Sequence, residues 1–337
     1  MAVFILKQPA MMVVTMLVTS FLLFGLMEFS PGNVASKTLG PYATQAQKDI
    51  LYEKLSLGDP LHERYVRWLG VLLGVMEDPL QDPELGLNFA DPRGSQYFGN
   101  FGYSAKYKLP VNDVMWDKLG NTLVLAGIAF AIIVPLSLLF GVLSGMREGS
   151  LLDRGLSYAG ITLTSIPEFA SAVFLMAIFV LLLGWLPGTA NMQNFDEWSW
   201  ASQMILPVTV LVLYDFGYVA RMVRGSMVEV MTKPYIRTAM LKGLPYKTVI
   251  LRHALRNALI APFTVILLQI PFLITGVVVT ETIFGYPGFG KMILEVAFFG
   301  DIAMVEAATL VAVFIAVSTQ LIGDIGYMLI NPRIRFT

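Results

Sequence analysis

Cys and His, two residue types that often mark a catalytic or metal site, are almost absent from this 337-residue chain. The sequence contains no Cys, which excludes disulfides, thiolate nucleophiles and thiolate metal sites. The two histidines, His62 and His253, lie in different polar segments, so a catalytic or metal-binding cluster built on imidazole is not expected. We therefore expect no covalent catalysis, and no cofactor or metal bound by this chain.

One segment matches a nucleotide-binding pattern. Residues 285–291 (GYPGFGK) fit the phosphate-binding loop G-x-x-x-x-G-K, but Met292 stands where a Ser or Thr must hold Mg²⁺. The residues before this segment end an apolar run of membrane-spanning length instead of a buried strand. We interpret the segment as a re-entry loop bent by Gly and Pro, so the chain has no ATP site of its own.

A second group of candidates consists of acids within or beside long apolar runs, namely Glu168, Asp215, Glu306 and Asp324. An ionisable group inside a membrane is costly to bury and is by default a sign of function. An acid near the end of a span can also reach the interface or bond to a neighbouring helix. Both interpretations stay open for Glu168 and Asp215, whereas two glycines beside Asp324 favour helix packing there.

The sequence Ser-Ile-Pro-Glu-Phe at residues 165–169 interrupts one of these apolar runs. Pro167 removes a backbone donor, so we expect a kink whose freed carbonyl groups line a pathway. A structural kink without ligand contact is the alternative. The candidate pathway residues are Ser165, Pro167, Glu168 and Asp215.

These residues are embedded in a strongly apolar chain. With 56% hydrophobic residues, 14% charged residues and a mean hydropathy of +0.67, it lies outside the range of soluble domains, of which about 25% is charged. This composition predicts an all-α polytopic membrane protein. A net charge of −1 gives no reason to expect nucleic acid as a partner.

Six apolar runs are long enough to cross a membrane. They occupy residues 9–29, 123–145, 156–186, 204–219, 259–280 and 303–328. No small-x-small cleavage site closes the first run, so we expect a retained helix and not a cleaved signal. The predicted regions are the N-terminus with the first helix (1–29), an extracytoplasmic cap loop (30–118), a five-helix core (119–330) with a basic loop at 221–258, and the C-terminus (331–337). Within the cap, residues 44–57 and 62–76 predict short helices and residues 78–102 predict a loop.

Basic residues are concentrated in one part of the chain. Residues 221–262 contain eight of the 23 Lys and Arg residues but only one acid, Glu229. Together with both termini and the turn near residue 150, this segment carries far more bases than acids, whereas the short loops on the other face are mainly acidic. The positive-inside rule therefore predicts that both termini and the basic segment are cytoplasmic.

A short helix is expected in the basic segment. Pro234 suits a first helical turn and Gly243 a left-handed end, so residues 235–242 should form a helix about 12 Å long. Pro245 should open a second helix through residues 246–256. The residues expected on one face of the short helix are Ile236, Ala239, Met240 and Gly243.

A short, Gly-ended helix in a basic cytoplasmic loop resembles the coupling helix of ABC importer permeases. Their pattern is E-A-A, three residues, Gly, nine residues and I-x-L-P. Here residues 237–239 (RTA), Gly243 and residues 253–256 (HALR) occupy these positions, with the Glu, the first Ala, the Ile and the Pro replaced. Residues 235–244 (YIRTAMLKGL) and 251–259 (LRHALRNAL) closely resemble the dipeptide and oligopeptide branch of that family.

The resemblance to the B-type permease subunit of that branch extends over nearly the whole chain. The matching segments are residues 30–33 (SPGN), 165–169 (SIPEF), 184–187 (GWLP), 281–284 (ETIF), 287–290 (PGFG) and 331–335 (NPRIR). The chain departs from the usual sequence of that subunit at two places, residues 300–303 (GDIA) and the lengthened segment 78–102. These differences affect the expected identity of the solute more than the expected mechanism.

The resemblance implies a type I ABC importer permease fold with six transmembrane helices in the bacterial cytoplasmic (inner) membrane. It implies four partners: a second, homologous permease, two cytoplasmic ATPases that use ATP and Mg²⁺, and an extracytoplasmic solute-binding protein. The residues implied to couple to the ATPases are Tyr235, Ile236, Arg237, Thr238, Ala239, Met240, Lys242, Gly243 and Leu244.

The solute implied by the resemblance is a di- or oligopeptide or a peptide-like compound. Oligosaccharides and other small solutes carried by the same machinery are an alternative. A rival of another class is a proton-coupled secondary transporter with Glu168, Asp215 or Glu306 as the relay. A membrane-bound enzyme has little support, because no nucleophile, metal cluster or paired acid and base recurs at suitable spacing.

Overall fold

The computed structural model describes residues 2–28, 44–54, 56–78, 93–94, 96–192 and 197–330. The segments 30–33 and 331–335, and most of 78–102, lie outside the described residues. The chain divides into two compact units. One contains Met1–Ile5, Thr122–Pro287 and Ala316–Thr337, and the other contains Leu6–Asn121 and Gly288–Ile315.

Helices make up most of the described structure. In chain order they are α1 (Ala2–Glu28), α2 (Gln45–Lys54), α3 (Leu61–Leu72), α4 (Val111–Gly145), α5 (Leu151–Ser165), α6 (Glu168–Met176), α7 (Trp200–Met231), α8 (Pro234–Leu241), α9 (Tyr246–Thr248), α10 (Leu255–Ala258), α11 (Ile260–Thr275), α12 (Val278–Ile283), α13 (Phe289–Phe299) and α14 (Ile302–Ile330). Two π-helical segments, Ala177–Leu182 and Val249–Ala254, continue α6 and α9. Strands β1 (Tyr103–Ser104) and β2 (Leu109–Pro110) form an antiparallel pair.

Five of these segments are long and apolar enough to cross a membrane, and α5 with α6 forms a sixth span if the bent pair is counted as one. This confirms the prediction of an all-α polytopic membrane protein. The two helices of the bent pair meet at 94°. The bend lies where a kink was predicted, because Ile166 adopts an extended conformation (φ −82°, ψ 125°) before Pro167.

Helix α7 extends well beyond the apolar run that predicts it. The run ends near residue 219, whereas the helix continues to Met231 and takes up the first eleven residues of the basic segment. The helix continues because Val219, Val223, Met227 and Val230 are buried at helical spacing. The prediction that residues 221–258 form a loop is therefore corrected: the loop begins after Met231.

Close backbone contacts surround α7, which packs against α5, α6, α11 and α12. A Cβ atom added at Gly141 of α4 would lie 2.7 Å from the carbonyl oxygen of Ala220, and one added at Gly145 would lie 3.0 Å from that of Arg224. Residues 141–145 of α4 therefore lie in close contact with α7. At both positions the helices are too close for any residue other than glycine.

In the other unit, the helices predicted at residues 44–57 and 62–76 are present as α2 and α3. The β1–β2 hairpin was not predicted, since two-residue strands are too short to show an alternating pattern. Its turn is held by Asp301, whose Oδ2 accepts hydrogen bonds from Ser104 Oγ (2.5 Å) and the Lys106 amide (3.1 Å). Burial raises the pKa of the Asp301 carboxyl, and these hydrogen bonds partly offset that rise.

The same turn carries an ion pair between Lys106 Nζ and Glu295 Oε2, 2.6 Å apart. Burial alone would raise the pKa of Glu295, but the Lys106 ammonium and a hydrogen bond from Tyr107 hold it below its usual value. Residues 103–110 and helix α13 are thus joined by charged contacts, so this part of the predicted cap is ordered.

Candidate coupling helix and translocation cavity

Helix α8 has the limits expected from its Pro and Gly residues. It begins at Pro234, whose fixed φ suits a first helical turn, and its last helical residue is Leu241. Gly243 follows with φ +74°, a left-handed conformation that L side chains rarely adopt. The predicted short helix is therefore confirmed.

One face of α8 is buried within the chain. Ile236 is fully buried and Ala239 is 6% exposed, and both belong to a cluster that also contains Met227, Val230, Val249, Ile250, Ala254 and Ala258. Met240 was expected on this face but is 41% exposed. It lies about 100° around the helix from Ala239 and about 40° beyond Ile236, at the edge of the buried stripe.

The other side of α8 and the turn after it are exposed. A Cβ atom built on Gly243 would meet nothing within 4 Å, and Leu241 is 80% exposed. The exposed residues of this surface are Tyr235, Arg237, Thr238, Met240, Leu241, Lys242, Gly243 and Leu244. The predicted coupling residues thus fall into two sets: Ile236 and Ala239 anchor the helix, and the others form a basic surface that also displays apolar side chains.

Hydrogen bonds attach this region to its neighbours. Tyr235 Oη accepts a bond from Asn257 Nδ2 (3.1 Å), and Tyr246 Oη donates to the carbonyl oxygen of Met146 (3.2 Å). The helix predicted over residues 246–256 is present as α9, a π-helical segment and the start of α10. A displacement of α8 would therefore also displace α4, α7 and α10.

A buried ion pair lies nearby that the sequence analysis did not find. The Arg224 guanidinium makes two parallel contacts with the Asp153 carboxylate, from Nε (2.5 Å) and a terminal nitrogen (2.7 Å). Asp153 also accepts hydrogen bonds from Ser144 Oγ and from the Gly149 amide (2.8 Å). The partners are 71 residues apart, so no local pattern could have paired them.

Two of the four predicted pathway residues line the same cavity. Ser165, at the end of α5, and Asp215, in α7, face an open cavity of about 420 Å³. Its wall also includes Thr164, Tyr214, Tyr218, Arg221, Gln269 and Phe272. The sequence did not single out these further residues, because polar and aromatic side chains in long helices have no motif of their own.

The other two predicted pathway residues are placed differently. Pro167 lies at the bend before α6, and neither it nor Glu168 is part of the wall of this cavity. Glu168 Oε1 accepts hydrogen bonds from both the amide (3.1 Å) and the hydroxyl (2.5 Å) of Thr280. Glu168 therefore links α6 to α12, a role that its sequence position left open.

Within the described residues, no group of three or more His, Asp or Glu side chains is arranged to hold a metal ion. The false phosphate loop also lacks the structure that its pattern would require. Residues 286–288 are irregular and lead into α13, and the segment before them is the helix α12 instead of a strand.

Comparison with known proteins adds independent information. Residues 137–336 match the family model described as binding-protein-dependent transport system inner membrane component. The oligopeptide transport system permease protein AppB of Bacillus subtilis is 32% identical over 340 residues, which cover 100% of both chains. The dipeptide transport system permease protein DppB of Alkalihalophilus pseudofirmus is 28% identical, again over 100% of both chains.

Among solved structures, a chain of the MetNI methionine ABC transporter in an inward-facing conformation is similar, with 18% identity and a TM-score of 0.49. The match covers 66% of the present chain and 96% of that chain.

Proposed function

The chain belongs to the family of binding-protein-dependent transport system inner membrane components, and we propose that the solutes it carries are peptides. As a member of that family it is a permease component of an ABC importer. The two relatives described above, named as oligopeptide and dipeptide transport permeases, align with the chain from end to end and support peptides over oligosaccharides.

The proposed assembly pairs this chain with a second, homologous permease. Two cytoplasmic ATPases bind on one side of the bacterial cytoplasmic membrane, and a solute-binding protein docks on the other, over the cap of residues 30–118. Both termini and α8 face the cytoplasm, as the excess of basic residues there favours. ATP and Mg²⁺ are used by the ATPases and not by this chain.

The observation that carries the proposal is that one face of α8 is buried within the chain while the other face is exposed. Ile236 and Ala239 are packed inside the chain, while Leu241, at 80% exposed, and Leu244 project from a basic surface. Exposed apolar side chains rimmed by charges are typical of protein–protein contacts. We assign this surface, residues 235–244, to the contact with an ATPase subunit.

The coupling is mechanical. When the ATPases close around ATP they displace α8, and the buried cluster with Met227 and Val249 transfers that displacement to α7 and to the segment leading into α11. The permease then changes between inward- and outward-facing states. ATP binding at a distant site favours one of these two states. Peptide passes from the binding protein through the opened pathway.

The proposal is tested with Gly243→Asp in the complete complex, reconstituted in liposomes with the binding protein. The new side chain meets nothing in its own chain, so the subunit should remain folded in the membrane, but it adds bulk and negative charge to the contact surface. We expect ATP-dependent peptide uptake and the stimulation of ATP hydrolysis by the loaded binding protein to be lost.

Gly184→Asp is the matched control, because Gly184 also has a positive φ (+64°) and open space around its Cβ position but lies outside α8. It should leave uptake close to that of the unaltered complex. Uptake at the normal rate by the Gly243→Asp complex would contradict the coupling role. Uptake by the purified chain alone, driven by a pH gradient without ATP, would instead favour the proton-coupled alternative.

A further inference from the structure

The cavity beside α7 contains two polar side chains that the proposed coupling does not use. Asp215 lies at the midpoint of α7 and is 4% exposed, and Gln269 of α11 is 7% exposed. Both line the cavity of about 420 Å³. Asp215 also lies within the apolar run of residues 204–219, where a carboxylate is costly to bury.

Neither side chain is satisfied within the described part of the chain. Asp215 Oδ2 and Gln269 Nε2 are both buried without a hydrogen-bond partner. Gln269 is close to Asp215, but no hydrogen bond of ordinary geometry joins the two. Buried polar atoms in native proteins nearly always have partners, so a carboxylate oxygen and an amide nitrogen left unpartnered at one cavity wall indicate a group that binds there.

A positive charge borders the same cavity. Arg221 follows Asp215 by six residues on α7, which places their backbones about 9 Å apart along the helix axis. Among the described ion pairs, none includes either residue. The cavity therefore presents a carboxylate and a guanidinium at separate positions, each without an ion-pair partner among the described residues.

The remaining wall suits a compact solute with apolar side chains. Tyr214 stacks on Phe272 with ring centroids 6.0 Å apart, and Tyr218 adds a third aromatic ring to the lining. An extended dipeptide or tripeptide spans roughly 7 to 10 Å, at about 3.3–3.6 Å per residue. This length is comparable to the separation of Asp215 and Arg221 along α7.

We propose that this cavity is a transit site for short zwitterionic peptides, in which Asp215 and Gln269 receive the α-ammonium group and Arg221 receives the α-carboxylate. The inference rests on the proposed function, since it presumes that the solute is a peptide, and it adds which groups of the peptide the permease itself recognises. The aromatic wall contacts the side chains in between. A neutral sugar would leave both charges unpaired.

The test uses the complete complex in liposomes, with the binding protein loaded to equal occupancy with a tripeptide or with its N-acetylated form. Asp215→Asn should lower ATP-dependent uptake of the free tripeptide about tenfold, as expected for the loss of one charge-assisted hydrogen bond. Uptake of the acetylated peptide, which has no ammonium group, should change far less. Asp324→Asn is the control, because it removes an acid from another spanning helix that is not part of this cavity.

Arg221→Gln provides the complementary measurement. It should lower uptake of the tripeptide with a free carboxylate more than uptake of its C-terminal amide. If Asp215→Asn and Arg221→Gln lower the uptake of every peptide equally, or leave all uptake unchanged, the transit site is wrong.

A labelling experiment avoids both substitutions. Because the chain contains no Cys, Ser165→Cys introduces a single thiol at the cavity wall of this subunit. Binding protein loaded with the free tripeptide should slow its modification by a maleimide in the working complex, and the acetylated tripeptide should protect it less. Equal protection by both peptides would overturn the proposal. The proposed function itself fails only if the unaltered complex takes up neither peptide with ATP.

Discussion

Asp153 and Arg224 illustrate what single residues contribute to this protein beyond the coupling surface. The Asp153 side chain is 3% exposed, and the Arg224 guanidinium satisfies it with two parallel contacts. The Asp153 carboxylate needs a positively charged partner because it is buried, whereas the Arg224 side chain is 30% exposed and keeps contact with solvent. The pair joins α5 to α7 immediately before the segment that leads into α8.

We predict that Arg224→Met destabilises the folded subunit by about 3–5 kcal/mol, because it leaves the Asp153 carboxylate buried without its partner. The double substitution Arg224→Met with Asp153→Leu should recover most of that loss, since it removes the second charge as well. Apparent melting temperatures in detergent, compared in a double-mutant cycle, measure this coupling.

The control for that cycle is an exposed ion pair. Lys233 Nζ and Glu229 Oε1 are 2.9 Å apart, but their side chains are 46% and 70% exposed. Lys233→Met should therefore leave stability almost unchanged, because the pair is screened by solvent. If Arg224→Met lowered the melting temperature no more than Lys233→Met does, the buried ion pair would not contribute to stability.

At the scale of elements, α7 is the helix around which its unit is packed. Its contact with α5 is closest where Gly217 faces Gly160: a Cβ atom added at Gly217 would lie 2.3 Å from the Gly160 carbonyl oxygen. Backbone at such a distance cannot move aside as a flexible side chain can. The approach of these helices therefore depends on glycine at position 217.

We predict that Gly217→Ala separates α5 from α7 and lowers the stability of the subunit by about 1–3 kcal/mol, the usual range for overpacking. Gly225→Ala in the same helix is the matched control, because a Cβ atom there would meet nothing within 4 Å. That change should be neutral or slightly stabilising, since Ala is the better helix former. Detergent melting curves of the two variants should differ; identical curves would show that the helices can adjust.

At the scale of the whole molecule, the direction in which the spans cross the membrane decides which partners reach which surface. An even number of spans returns the chain to the side on which it began. The bent pair of α5 and α6 is therefore decisive, because it supplies the sixth crossing if the two helices act as one span.

Single cysteines in this Cys-free chain test the orientation. Phe98→Cys, at a position that is 82% exposed in the predicted cap, should react with a membrane-impermeant maleimide in spheroplasts. Glu148→Cys, in the exposed turn between α4 and α5, should react only after the membrane is permeabilised. The opposite pattern would invert the topology, and the unaltered chain reports background labelling.

Much of this architecture could be predicted because its signals are local. Long apolar runs predict the spans, and Pro234 with Gly243 predicts the limits of α8, since one fixes φ and the other permits a left-handed turn. The prediction was wrong about where α7 ends. Basic side chains on the exposed face hid an apolar stripe that continues to Val230.

What the sequence by itself determined is therefore the membrane class, the short helix and the set of acids worth examining. Only the tertiary structure decided which of these acids lacks a partner. Glu168 bonds to Thr280, whereas among the described residues one buried oxygen of Asp215 and both buried oxygens of Glu306 have no hydrogen-bond partner. The physical reason is that the environment of a charge depends on residues brought near it by folding, and these are far away along the chain.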